Sequence, residues 1–291
     1  MSHDPVRPLF RSRLFTLGEF HCPPDHPRWG DVNEIGSHAH VVFPGTSVVI
    51  EQEGHHSLLA NANHVVFYRC DQRYRRALHD PRGDHCIFVE LEPALVAELL
   101  AAGGLSRADD LPFVQGPSEP RVWLAMRRAA GGLRRSGSNR LALEELVLGA
   151  LRWSVLRGAA FHRRRRLPAR SRTRADHQAL VEDAKALLTE RATGTDTLGA
   201  LAAQLHVSEF HLARVFREHT GTTLHRYRTQ LRLIEALERL GDDRERLATI
   251  AAETGFASHS HLARVFRSSL GVPPTRLRDL PKPFLPAGLA V

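Results

Sequence analysis

Four arginines hold the same places in two copies of one heptapeptide. HLARVFR occupies residues 211–217 and again 261–267, so Arg214 and Arg217 recur as Arg264 and Arg267. A guanidinium is a flat, permanently charged fork of N–H donors. It meets paired acceptors two at a time, whether the oxygens of a carboxylate or phosphate or the O6 and N7 edge of guanine. A second set of chemically capable residues lies earlier in the chain. His38 and His40, in SHAH, alternate so that on a strand both share one face. Tyr68, Cys70, His79, His85 and Cys86 fall in neighbouring predicted strands or turns. Two imidazoles on one wall suit a transition metal, a pocket for an organic molecule, or ordinary strand positions. Ten of the 18 histidines precede residue 90, so a close pair there is unsurprising. Cys86 sits in an apolar run and reads as a small buried hydrophobe. Cys70 lies among Arg69, Arg73, Arg75 and Arg76, which would favour its thiolate and make it a redox candidate. No Gly-rich phosphate loop, nucleophile elbow or HExxH occurs.

The repeated arginines need an element to position them, and the heptapeptide supplies it. Leu212, Val215 and Phe216 fall at helical spacing, as do Leu262, Val265 and Phe266, and form an apolar stripe for burial. The arginines fall on the opposite side, where a solvated face would accept any polar residue. Each copy follows a short Ala-rich helix and a tight turn, in LAAQLHVSEFHLARVFREHTG and IAAETGFASHSHLARVFRSSLG. Ser208 and Ser258 stand where an N-cap belongs, and Gly221 and Gly271 where a left-handed C-cap belongs. A helix, a turn and a second helix with an exposed basic face is a helix-turn-helix. Its second helix enters the major groove with its N-terminal residues at the base edges. Between the copies a helix is predicted from Thr223 to Leu240, 18 residues, or ~27 Å. With its turns it could hold two such helices about 34 Å apart, one turn of B-DNA. A helical solenoid is the alternative, but solenoids want three or more units and only two are present.

The charge is distributed to match. Residues 1–160 hold 18 Lys/Arg and 18 Asp/Glu, which leaves 22 and 14 for residues 161–291 and places the whole net charge of +8 there. Within that half, RRRRLPARSRTR (163–174) has seven arginines and no acid. It reads as a solvated tether or as an arm adding salt-sensitive phosphate contact. A net basic half points to a polyanion partner. Three cysteines without CxxC spacing suit a reducing compartment. No apolar run reaches membrane-spanning length, and the N-terminus lacks a signal-peptide core.

Residues 30–91 predict short strands: HVVF, TSVVIE, HSLLA, HVVFY and CIFVEL, separated by turn signals, as in a small antiparallel barrel or sandwich. After Pro93 the pattern turns helical. PALVAELLAAGG predicts a short helix, and residues 119–161 a helical pair. Leu143, Leu146, Val147, Ala150, Leu151 and Val155 keep a stripe that either packs on the strands or forms a dimer seam. From 176 to 281 the chain reads as six or seven short helices without a strand.

At this point residues 176–281 resemble the DNA-binding domain of the AraC family of bacterial transcription regulators. The segment IAAETGFASHSHLARVFRSSLGVPPTRLR (250–278) is similar to the family signature, and LAAQLHVSEFHLARVFREHTGTTLHRYR (201–228) to its first motif. The first half resembles the family's regulatory domain by strand rhythm and placement. The resemblance implies an α+β chain. A cupin-like β-barrel with a helical pair would occupy 1–160, a basic linker 161–175, and an all-α domain with two helix-turn-helix motifs on a long linker helix 176–281, with a tail at 282–291. Carried over by position, it implies base contacts from Phe210, Ala213 and Arg214 in the first motif and His259, Ser260, His261 and Arg264 in the second. Arg217, Arg267, Ser208 and Ser258 complete the expected DNA-facing set. Ala213 is too short to hydrogen-bond and could only touch a thymine methyl. His206 stands where the second motif has Gly255, a costlier choice if the position is left-handed. His38, His40, Tyr68 and His79 are the candidate effector-binding residues.

The resemblance further implies no catalytic residue, no metal and no cofactor. The partners it implies are promoter DNA, RNA polymerase, a small-molecule effector and a second copy of the chain, in the cytoplasm on the nucleoid and away from membranes. The alternative is a cupin-type metal-dependent enzyme, or a metal or redox sensor, fused to a DNA-binding module. Such enzymes place a carboxylate a few residues after the His pair. Here the next acid after His40 is Glu51, which disfavours that reading.

Overall fold

The structure, a computed structural model, describes residues 5–105, 111–133, 139–164, 170–240 and 246–279. The chain parts into two compact units between Arg163 and Arg164.

In the first unit, alternation builds two antiparallel sheets. One runs in the order β1 (Val6–Arg11), β2 (Phe15–Cys22), β9 (Asp84–Leu91), β4 (Ala39–Pro44), β7 (His64–Tyr68), β10 (Gln115–Pro117). The other runs β3 (Asn33–Glu34), β8 (Arg73–Leu78), β5 (Val48–Gln52), β6 (Leu58–Ala60). Successive side chains point to opposite faces, and the larger sheet uses both. Leu17, Val41, Phe43, Val65, Phe67, Ile87 and Val89 face one way into a core shared with the helices. Val42, Val66 and Tyr68 face the other way and pack with Val48, Ile50, Leu58 and Ala60 of the smaller sheet. The α+β class is as expected. The β-rich part is two sheets packed on each other, and no closed barrel forms among the described residues.

Three helices cover the first core: α1 (Pro93–Ala102), α2 (Pro120–Leu133) and α3 (Arg140–Arg164). Leu143, Leu146, Val147, Ala150, Leu151 and Val155 of α3 are each 2% exposed or less, within that core. Burying each large aliphatic among them contributes ~1.5–3 kcal/mol. The stripe is therefore taken up inside the unit and is not a surface held open for a second copy.

The second unit is helical: α4 (Ser171–Glu190), α5 (Leu198–Gln204), α6 (Glu209–Thr220), α7 (Leu224–Arg239), α8 (Leu247–Glu253), α9 (His259–Leu270) and α10 (Pro274–Asp279). The tether expected over 161–175 is helical at both ends, since α3 runs to Arg164 and α4 starts at Ser171. Arginines 165 and 166 lie outside the described residues. The first motif's core joins Val181, Ala184 and Leu188 of α4 to Leu212, Val215 and Phe216 of α6 and to Tyr227 of α7. In the second motif Leu262 and Phe266 are fully buried, but Val265 is partly exposed, against the expectation of a wholly buried stripe. A long helix, α4, lies on α6, whereas α9 packs mainly on α8, α7 and the six-residue α10. The linker helix α7 has 16 residues, capped by Thr223 and ended at Leu240, and so spans ~24 Å. Among the described residues no helix is long and apolar enough to cross a membrane.

Candidate nucleic-acid interface and a cavity between the sheets

Both recognition helices are capped alike. The Ser208 hydroxyl accepts from the His211 amide, and that of Ser258 from the His261 amide. Each cap satisfies a first-turn donor that has no intrahelical partner. Gly221 and Gly271 end the helices at φ 73° and 78°, left-handed conformations in which a side chain is strained. The tight turns are left-handed too, with His206 at φ 56° and Gly255 at φ 78°. A Cβ on Gly255 would stand 2.7 Å from the Thr193 carbonyl oxygen. The second turn thus needs glycine for two reasons, and the first does without.

The exposed faces carry the expected residues. Phe210 is 79% exposed, and Ser208, Arg214, Arg217, Ser258, His259, Ser260, Arg264 and Arg267 are all exposed. Ala213 and His261 are only partly so, Ala213 because it leans on the first motif's core. The heptapeptide's own histidine packs on a ring in both motifs. His211 meets His177 of α4 at 5.4 Å, and His261 meets Phe256 at 5.5 Å. Burial, then the nearby Arg264, Arg232 and His225 charges, holds His261 below the ordinary imidazole value, so it faces outward neutral.

Identical sequence does not give the two arginine pairs identical surroundings. Arg214 Nη1 donates to both carboxylate oxygens of Glu218 at 3.0 Å, one helical turn on. The second motif has Ser268 at the matching position, and its hydroxyl donates to the Val265 carbonyl. Among the described residues the Arg264 side chain makes no salt bridge or hydrogen bond.

A lock that the sequence gave no direct sign of joins the two motifs. Arg228 of α7 donates to the Asp196 carbonyl at 2.6 Å, and Arg232 donates to the carbonyls of Ala192 and Gly194. The same loop between α4 and α5 presents Thr193 to Gly255 of the second motif's turn. The linker helix is thereby tied to a loop that touches both motifs. Burial, and the neighbouring Arg228, lower the Arg232 pKa.

In the first unit a cavity of about 680 Å³, partly open to solvent, lies between the inner faces of the two sheets, within the range of small-molecule sites. His40 and Tyr68 lie on its wall, while His38 and His79 do not. The register sets His40 between Glu90 on β9 and Tyr68 on β7. Its Nδ1 is engaged with the His38 carbonyl at 2.9 Å, and burial depresses its pKa. His38 stands outside β4, with Nδ1 3.3 Å from Glu90 and Nε2 3.6 Å from Glu92. These carboxylates arrive through strand pairing, so sequence proximity could not reveal them. His79 is held by Ser47 at 2.9 Å. Among the described residues no three His, Cys, Asp or Glu side chains are grouped to hold a metal ion. Sequence reasoning missed a buried ion pair on the cavity's wall. Arg76 Nη1 donates to Asp84 at 2.9 Å, with side chains 6% and 5% exposed. Burial lowers and Asp84, then Tyr74, raise the Arg76 pKa, for a net increase. Burial also lifts Asp84 against the pull of Arg76, and it lifts Cys86 well above an ordinary thiol.

Comparison with known proteins separates the two units. The family model described as "Helix-turn-helix domain" matches residues 201–279. The HTH-type transcriptional activator RhaS of Pectobacterium atrosepticum is 38% identical over 80 residues, covering 28% of this chain and 29% of that protein. The HTH-type transcriptional activator RhaR of Yersinia pseudotuberculosis is 32% identical over 126 residues, covering 40% and 43%. The chain thus spans under half the length of these relatives. A crystal structure of ToxT from Vibrio cholerae with bound unsaturated fatty acid aligns over 97% of this chain and 99% of that one, at 13% identity and a TM-score of 0.35. That score is too low to bear on what this chain binds. Paired motifs with matching caps, exposed arginines and this similarity make residues 201–279 of this chain a helix-turn-helix domain similar to those of the activators RhaS and RhaR.

Proposed function

We propose that this chain is a sequence-specific transcription regulator, an activator that inserts α6 and α9 into successive major grooves of promoter DNA. Its first unit answers a small molecule held between the two sheets. The observation that carries this is the duplicated, capped helix with its arginines on the open side. Arg264 and Arg214 read base edges, with Phe210, Ala213, His259, Ser260 and His261 beside them. Arg217, Arg267 and the helix starts at Ser208 and Ser258 hold phosphates. The domains run 1–160, 161–175, 176–281 and 282–291. Relatives named as activators support the sign of regulation, and contact with RNA polymerase follows from that sign. The chain acts on DNA in the cytoplasm as a homodimer and is not an enzyme. Its dimer surface is not the α3 stripe, which is already buried.

Full-length protein should bind a duplex selected from a random pool at least ~10³-fold more tightly than unselected duplex at physiological salt. Equal affinity for both would make it a nonspecific binder and end the proposal. Equilibrium sedimentation checks the dimer.

A further inference from the structure

We propose that Gly199 is a positioning residue for DNA binding: by lacking a side chain it lets the Glu209 carboxylate rest against α5, off the phosphates that α6 approaches. This deepens the reading of α6 as a recognition helix and rests on it.

The two recognition helices share a heptapeptide but not a charge. Helix α9 has Arg264 and Arg267 and no acid, whereas α6 sets Glu209 and Glu218 against Arg214 and Arg217. Glu218 is engaged by Arg214 at 3.0 Å. Glu209 has the harder position. It is the first residue of α6, exposed between Ser208 and Phe210, which are exposed too. A carboxylate in the first turn favours α6 itself. The N-terminal residues of such a helix, however, are the ones that enter the groove, and there a carboxylate meets phosphates of like charge.

The fold turns that carboxylate aside. A Cβ added at Gly199 would stand 2.7 Å from Glu209 Oε1 and 3.5 Å from its carboxyl carbon. The carboxylate thus occupies the room that the glycine leaves. Gly199 lies in the first turn of α5, and its backbone is not left-handed. Alanine would suit that backbone and is the better helix former. Conformation therefore does not ask for glycine at 199, but the space does. The second motif shows the converse. Where α5 has Gly199, α8 has Ala248, and where α6 starts with Glu209, α9 starts with His259. With no carboxylate to receive, the second motif has no glycine there.

The test compares the full-length parent, Gly199→Ala, Glu209→Gln and the double variant on the duplex that the parent selects, by fluorescence anisotropy over a salt series. The added Cβ displaces the carboxylate from α5. Gly199→Ala should keep or raise Tm yet weaken binding up to about tenfold at low salt. That deficit should shrink as salt screens the repulsion. Glu209→Gln keeps the size of the side chain and removes its charge, so it should bind like the parent, and the double variant should recover parental affinity. A parent that selects no duplex fails the recognition reading itself. If the parent selects one and Gly199→Ala binds it as tightly, the positioning role is overturned. A deficit that persists in the double variant, or that salt does not change, points to displaced helices rather than a displaced charge and overturns it equally. If Glu209→Gln alone shifts the affinity, the carboxylate already faces the duplex in the parent, and the proposal falls.

Discussion

Arg214 and Arg264 occupy the same place in identical heptapeptides, yet only Arg214 is held by a carboxylate. An exposed pair of this kind contributes at most ~1 kcal/mol, but that energy must be given up before the fork can turn to a base. Arg264→Ala should therefore weaken the preferred site by ~1–3 kcal/mol and relax one base position. Arg214→Ala should cost less, and Glu218→Ser should tighten binding, all read by gel shift on the selected duplex. Equal losses at the two arginines would remove the distinction. His177 carries a pH prediction at the same scale. Burial, then His211 and Arg214, hold its pKa below the ordinary value. Such a histidine contributes stability that is fully present above its unfolded value, ~6.5, and is lost as pH falls through the folded one. The Tm of the helical unit should drop between pH 7.5 and 5.5, and His177→Phe should flatten that drop.

At the scale of elements, the helices were legible and half of the strands were not. Helical stripes, serine caps and glycine ends are local signals, and α1, α6, α7 and α9 follow them closely. Strands β1, β2 and β8 went unread for physical reasons. The edge strand β1 contains Pro8, next to which the register shifts. The strand β2 contains Gly18, which leaves room for Phe88; a Cβ there would meet that ring at 2.3 Å. The strand β8 alternates arginines, one of which is the buried Arg76. Partners that arrive by strand pairing, such as Glu90 beside His38 and Asp84 beside Arg76, have no sequence spacing to announce them. The Arg228–Arg232 lock did leave a faint trace. Two cations at i,i+4 disfavour an isolated helix and so ask for tertiary partners. Arg232→Ala should lower affinity for the double site while leaving each motif's base preference unchanged, as read by binding to single and paired sites. Gly255→Ala combines positive φ with a 2.7 Å approach to backbone. It should cost well over 1 kcal/mol in thermal unfolding; the first turn, with His206 at φ 56°, already carries the positive-φ part of that cost.

For the whole molecule, the charge split and the repeat make one account. The first unit is close to neutral and holds a cavity partly open to solvent. The second carries the arginines on paired helices joined by α7 and its lock. The arginines of 163–174 add contact of another kind. Arg163 is already used on the Gly103 carbonyl, while Arg170, Arg172 and Arg174 are exposed. Replacing those three by Gln should weaken selected and random duplexes alike and reduce the salt dependence by up to about one phosphate contact each. The most direct measurement is the sequence pattern recovered when full-length protein selects from a random duplex pool. The account predicts two short blocks on one face of the duplex, their centres ~10–10.5 base pairs apart, with Arg264→Ala erasing preference in one block only. A single block, or two whose separation varies from clone to clone, would contradict it.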